Sequence, residues 1–276
     1  AFVVVSCAEE PPPEATVTAL EKVEVRPEIY ADFTLTADLS HLSDEQRQMI
    51  ALLIDASQIM DGLFWRQSFG DDYEAWLDSI ADDRTRRFAE LNYGPWDALD
   101  DDKPFMDGFG PKPLGAQFYP EDMSKEEFEE AYLPGKAGLY SFVRRDPAGD
   151  LDLVPFSVEY KEELAAAARI VREAAKLAKS PDFANYLKLR AAALISDDFR
   201  LSDSYWMDVK DNEVDVVIGP IETYLDRLYG YRAAYEAYVL IKDLEWSDRL
   251  SRFAEFLPAL QEGLPVPDEY KQESPG

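Results

Sequence analysis

The sequence predicts an α+β fold, mainly α-helical, with a small antiparallel or mixed β-sheet placed late in the chain. Three observations predict it. Long apolar stripes recur close to the 3.6-residue period of an amphipathic helix. Runs rich in β-branched and aromatic residues between turn residues are few. Hydrophobic residues make up 46% and aromatics 13% of 276 residues, enough to bury a sizeable core.

The chain opens with Ala1-Phe2-Val3-Val4-Val5-Ser6-Cys7. Residues 1–7 read as the tail of a secretory signal, and Val4-Val5-Ser6-Cys7 resembles the lipobox of bacterial lipoproteins, whose cysteine is lipidated. A buried first strand with a chance cysteine is the other reading. Residues 8–28 carry Pro11-Pro12-Pro13 among acids and read as a disordered tether. Residues 29–276 read as one folded lobe. The closing Glu273-Ser274-Pro275-Gly276 reads as a cut inside a longer protein or as a frayed terminus.

Helix starts are marked by capping residues. Ser43-Asp44-Glu45-Gln46 is a capping-box pattern. The stripe Met49, Leu52, Leu53, Ala56, Ile59, Met60, Leu63 follows it. Ser124 with Glu127 repeats the signal before Phe128. Residues 158–179 predict a helix with Leu164, Ala167, Val171, Ala174 and Ala178 on one face. Ser180-Pro181 fits the cap and first position of the next helix, which carries Phe183, Tyr186, Leu187, Leu189 and Leu194. A last helix is expected over 243–262. Residues 139–143 and 151–154 flank Asp146-Pro147-Ala148-Gly149 and predict a β-hairpin. Residues 214–224 and 235–241 predict a second strand pair. Residues 93–120, rich in Gly, Pro and Asp, read as a long ordered loop.

Charge and composition exclude some functions. Asp and Glu number 56 against 28 Lys and Arg, for a net charge of -28. Such a surface repels a phosphate backbone, so nucleic acid is not an expected partner. Cys7 is the one cysteine, so no intrachain disulfide forms, and His41 is the one histidine. A conventional zinc site converges three or four His, Cys or carboxylate ligands, which this chain alone cannot supply. His41, just before Ser43, reads as a surface or capping residue. Asp100-Asp101-Asp102 lacks calcium-loop spacing and reads as a solvated turn.

The segment from Ile218 to Val239 carries the chemistry. On a strand, Glu222 and Tyr224 would share one face. A carboxylate there can hold a substrate ammonium, and a phenol can donate to a developing oxyanion. The polar face of a half-buried strand is the plainer reading. The segment resembles the I-E-S-Y-R-D-P-x-G-x-R-x-E-F-E-x-F-V block of the dipeptidyl peptidase III family of zinc peptidases. Ile221, Glu222, Tyr224, Asp226, Gly230, Arg232, Glu236 and Val239 fall on its fixed positions. Trp206-Met207-Asp208-Val209-Lys210 is similar to the W-x-x-D-K-like stretch upstream. Gly108-Phe109-Gly110 with Lys112, Phe118, Pro120 and Phe128 resembles the family's G-F-G-x-x-K-F-x-P loop and following helix.

The resemblance implies one lobe of a two-lobed peptidase that cuts short peptides and releases dipeptides from their N-termini. Glu222 would bind the free N-terminus, and Tyr224 would bind substrate and stabilise the tetrahedral intermediate. Asp226, Arg232 and Glu236 would support the strand and its ion pairs. The family's zinc lies on a downstream H-E-x-x-G-H or H-E-x-x-H helix, a motif absent from these 276 residues, so the chain alone is expected to be inactive. Thr223 and Leu225 depart from the block, and the loop between Asp226 and Gly230 is longer by one residue. With Cys7 as a lipid anchor, the expected location is the bacterial cell envelope, with membrane and short peptides as partners. The alternative is a non-catalytic, lipid-anchored peptide-binding protein.

Overall fold

The chain is seen in a computed structural model that describes residues 23–271. Cys7 and the expected tether up to residue 22 lie outside the described residues. The elements run α1 (Asp44–Ser68), α2 (Tyr73–Ser79), α3 (Asp83–Asn92), β1 (Trp96–Asp97), β2 (Lys103–Pro104) and α4 (Lys125–Glu130). Then come β3 (Ser141–Arg145), β4 (Leu151–Pro155), α5 (Phe156–Glu159), α6 (Lys161–Leu177), α7 (Pro181–Ala193) and α8 (Arg200–Asp208). Last are β5 (Val214–Glu222), β6 (Ala234–Ile241), α9 (Leu244–Ala254) and α10 (Leu257–Glu262). The α+β class holds, but the strands make three separate two-stranded antiparallel ladders rather than one sheet. No described helix is long and apolar enough to cross a membrane.

The chain divides into two compact units. The first combines the described residues up to Ile29 with Leu77–Lys112. Within it, buried Phe88 of α3 meets Phe105 at 4.7 Å. Asp82 caps α3 through the Thr85 amide at 2.8 Å. Residues 23–28, expected as the end of a tether, are held here. The Arg26 guanidinium donates to buried Asp97 at 2.8 and 3.1 Å, and Glu28 pairs with Arg84. Asp101 and Asp102 both take left-handed φ of 53°, which a short polar side chain tolerates. They turn the chain from β1 to β2.

The second unit, Tyr30–Trp76 with the described residues from Pro113 onward, holds the larger core. Ser43 closes its capping box with Gln46 and starts α1. The α1 stripe of Met49, Leu53, Ala56, Met60 and Leu63 is buried. Ala167, Ala168, Ala174 and Ala175 of α6 are buried too, and small side chains let helix axes approach closely. The expected 158–179 helix is instead α5 and α6. Tyr160 leaves the helical path (φ -106°, ψ 31°), which puts its ring in the core under the Arg66 guanidinium, 4.4 Å from the centroid. The expected 243–262 helix is likewise α9 and α10. Pro258 has no N–H for the Ala254 carbonyl, so the ladder breaks there.

α1 fixes the β5–β6 hairpin at both ends. Gln46 donates to Glu213, just before β5, at 2.6 Å. Buried Gln67 accepts from the Tyr235 amide of β6 at 2.8 Å. Val214, Val216 and Ile218 turn inward from alternate positions of β5.

Candidate functional site

The hairpin pairs Gly219 with Glu236 and Pro220 with Tyr235, then slips past a bulge so that Glu222 pairs with Ala234. A bulge bends its strand and ends regular pairing. β5 therefore stops at Glu222, and Tyr224 sits in the turn beyond it. The expected alternation of Glu222 and Tyr224 along one strand is thus not what places them. The last position of β5 places Glu222, and the turn that Asp226 builds places Tyr224.

Asp226 is buried at the centre of the connection. Its Oδ1 accepts from the amides of Leu228 at 3.1 Å and Tyr229 at 3.2 Å. Its Oδ2 accepts from the Tyr119 hydroxyl at 2.8 Å, and from the amides of Tyr231 at 2.9 Å and Arg232 at 3.1 Å. Gly230 takes φ 68° and donates to the Asp226 carbonyl at 2.9 Å, a conformation that suits a residue without Cβ. Arg232 is buried beside this knot. Its guanidinium lies 5.6 Å from the Tyr119 ring centre and donates to the carbonyls of Gly138 and Lys136. Burial pulls its pKa down, against the pull of Tyr119 and Asp226. Asp226 thus gathers the turn's amides, and Arg232 works through main-chain carbonyls.

Tyr224 is exposed, and its hydroxyl donates to Glu236 Oε1 at 2.6 Å. Tyr238, two positions along β6, donates to Glu236 Oε2 at 2.8 Å. Glu236 thus bridges two phenols instead of pairing with a cation. Partial burial, and then the Glu236 carboxylate, push the Tyr224 pKa well up. The group stays a donor through the physiological range. The Glu222 carboxylate is exposed at the end of β5, with no hydrogen-bond or ion-pair partner among the described residues. The Glu222 charge also acts on the Tyr224 phenol, so an exposed carboxylate and a phenol lie near each other at the end of the hairpin.

Sequence reasoning missed Tyr238 and Tyr119. Tyr238 was legible by alternation from Glu236. Tyr119 had no local signal, since its partner is 107 residues away. The Trp206 stretch lies on α8 and in the turn after it, and its indole donates to Asp215 at 3.1 Å. Burial raises the Asp215 pKa, opposed by that hydrogen bond. The Gly108–Gly110 loop belongs to the first unit, where the Gly110 carbonyl accepts from the Trp96 indole at 2.9 Å. His41 lies in the turn before α1. Among the described residues, no group of three or more His, Cys, Asp and Glu side chains could hold a metal ion.

A family model described as peptidase family M49 matches residues 152–274, which include β5, β6 and the turn between them. The structure of dipeptidyl peptidase III from Caldithrix abyssi superposes with a TM-score of 0.82 at 35% identity, covering 91% of this chain and 49% of that one. The structure of dipeptidyl-peptidase III from Corallococcus sp. strain EGB superposes with a TM-score of 0.79 at 32% identity, covering 89% of this chain and 49% of its own. Nudix hydrolase 3 of Arabidopsis thaliana is 28% identical over 303 residues, covering 88% of this chain and 39% of the plant protein. The chain thus spans about half the length of these solved relatives and less of the plant protein.

Proposed function

Because the chain belongs to the dipeptidyl peptidase III family, peptidase family M49, we propose that it is the substrate-binding part of a zinc-dependent exopeptidase that releases dipeptides from short peptides. The observation that carries this reading is that an exposed Glu222 carboxylate lies near the Tyr224 phenol, which Glu236 holds, inside the matched family segment. In this reading the Glu222 carboxylate holds the peptide's terminal ammonium by a charge-assisted hydrogen bond. That contact counts residues from the N-terminus and so sets which bond is cut. The Tyr224 hydroxyl leaves Glu236 and donates to the oxygen that gains charge as the peptide carbonyl becomes tetrahedral.

The family is zinc-dependent, and zinc would supply Lewis-acid activation of water and carbonyl. The described residues do not fit a zinc site, because no cluster of donors converges. We therefore assign no step through the metal to this chain. The plant relative's name points to other chemistry, but the chain spans 39% of that protein and the matching family model is that of a peptidase.

The test is calorimetric titration of the chain with a short peptide, free or acetylated at its N-terminus. The free peptide should bind, and acetylation or Glu222→Ala should weaken binding at least about tenfold, the effect of losing one charge-assisted hydrogen bond. Equal affinity for both peptides would remove Glu222 from the proposed role.

A further inference from the structure

Tyr238 shares a carboxylate with the phenol to which the proposed function gives the chemistry, and that function uses Tyr238 for nothing. Residues 236 and 238 alternate with buried Tyr235 along β6, so their side chains leave the same outer face. Across the ladder, Glu236 lies opposite Gly219, which has no side chain to offer it, and Tyr238 lies opposite Val217. The carboxylate is filled instead from the turn and from its own strand. Tyr224 donates to one oxygen at 2.6 Å and Tyr238 to the other at 2.8 Å. The bond to Glu236, more than burial, holds the Tyr238 pKa up, and the Glu222 charge reaches both rings. Glu222, Tyr224, Glu236 and Tyr238 therefore form one cluster.

The chemistry proposed for Tyr224 requires its hydroxyl to leave Glu236 for a substrate oxygen. A hydrogen bond to an ionised carboxylate is roughly twice as strong as a neutral one, so a phenol that is its sole donor is held hard. A second donor already stabilises the charge, and the first bond then adds less.

We propose that Tyr238 is a positioning residue for Tyr224: it occupies the far oxygen of Glu236, so that the Tyr224 phenol is kept in place yet held loosely enough to pass to the substrate. The inference rests on the family reading above and deepens it. When Tyr224 turns to substrate, Tyr238 stays on Glu236, so the carboxylate keeps one charge-assisted bond and does not follow the phenol. A purely structural part for Tyr238 fits less well. Its side chain is 51% exposed, whereas Val216, Ile218 and Tyr235 fix the hairpin from its buried face.

The test is carbon NMR of the chain labelled at tyrosine Cζ, a nucleus whose signal moves downfield as the phenol donates more strongly. The Tyr224 signal is assigned by its loss in Tyr224→Phe. At pH 7, Tyr238→Phe should move it downfield, because Glu236 then leans on Tyr224 alone. In the Glu236→Gln background the same Tyr238→Phe change should leave the Tyr224 signal where it is, since the charge that couples the two rings is gone. An unmoved Tyr224 signal in Tyr238→Phe would overturn the proposal. So would an equal movement in the Glu236→Gln background, which would mean that packing and not the carboxylate carries the effect. The family reading is scored separately, by titration with the free and the acetylated peptide. A moved signal with equal affinity for the two peptides defeats the peptidase reading and leaves the coupling, whereas unequal affinity with an unmoved signal does the reverse.

Discussion

Asp226 has no exposed face to give to a substrate, yet the placement of Tyr224 depends on it. Replacing it with Ala would leave the Tyr119 hydroxyl and the amides of Leu228, Tyr229, Tyr231 and Arg232 without their acceptor. Buried donors left unpaired are costly, and losing the partner of a buried charged network costs about 3–5 kcal/mol. Asp226→Ala should lower the urea midpoint by that equivalent, and Asp226→Asn, which keeps one oxygen, by less. A change under about 1 kcal/mol would mean that water takes over the donors. At this scale the sequence was readable where residues lie close together. Glu222, Tyr224 and Glu236 stood out by type and spacing and by the family block. What Glu236 does was not legible, because a carboxylate amid phenols and one amid arginines look alike until the register is known. Tyr119 was hidden for a different reason: only the folded chain brings it to Asp226.

Helix starts were legible, and helix breaks were not. Ser43, Ser124 and Ser180 each accept from an amide three residues on, a local bond that a sequence can show. α8 has no side-chain cap, so its start gave no signal. The break at Tyr160 follows from a ring drawn into the core, a demand set by Arg66 and Phe142 from elsewhere. α5 shows the same dependence on distant residues. Its Ser157 amide donates at 2.9 Å to Asp197, which ends the preceding turn with φ 58°. The other Asp197 oxygen is buried without a partner. Burial raises the Asp197 pKa despite the Ser157 bond. A carboxyl whose folded pKa lies above its unfolded value penalises the fold when ionised. That penalty is fully present above the folded pKa and vanishes as pH falls below the unfolded value, about 3.9. Asp197→Asn keeps an oxygen for Ser157 and tolerates the left-handed φ. It should raise stability at pH 7 by less than about 1 kcal/mol, with the gain fading toward pH 3 in parallel thermal melts. A loss at pH 7 would show that the charge itself holds α5.

Across the whole molecule the charge excess is readable from composition, and its effect on stability follows from arithmetic. With 56 acids against 28 bases, no more than half of the carboxylates can have a cation of their own. Salt weakens both repulsion and surface ion pairs, but single exposed pairs contribute little, so relief of repulsion dominates. Raising salt from 0.01 to 0.15 M cuts the screening length from about 30 to about 8 Å. The melting temperature should rise by about 2–4 °C, the shift that roughly 1 kcal/mol gives a domain of this size. A fall would mean that the ion pairs outweigh the repulsion. The division into two units was not legible, because the contacts that return residues 23–28 to the first unit reach far along the chain, 71 positions from Arg26 to Asp97 and 56 from Glu28 to Arg84. Long reach also governs the order in which the molecule can be assembled. During synthesis Tyr119 is made 107 residues before Asp226. At about 5–20 residues per second that gap lasts roughly 5–20 s. For that interval the aromatic cluster around Tyr119 has no anchor, and the turn carrying Tyr224 does not yet exist. The turn with the clearest chemical signature therefore takes shape only after the aromatic residues that support it have waited for Asp226.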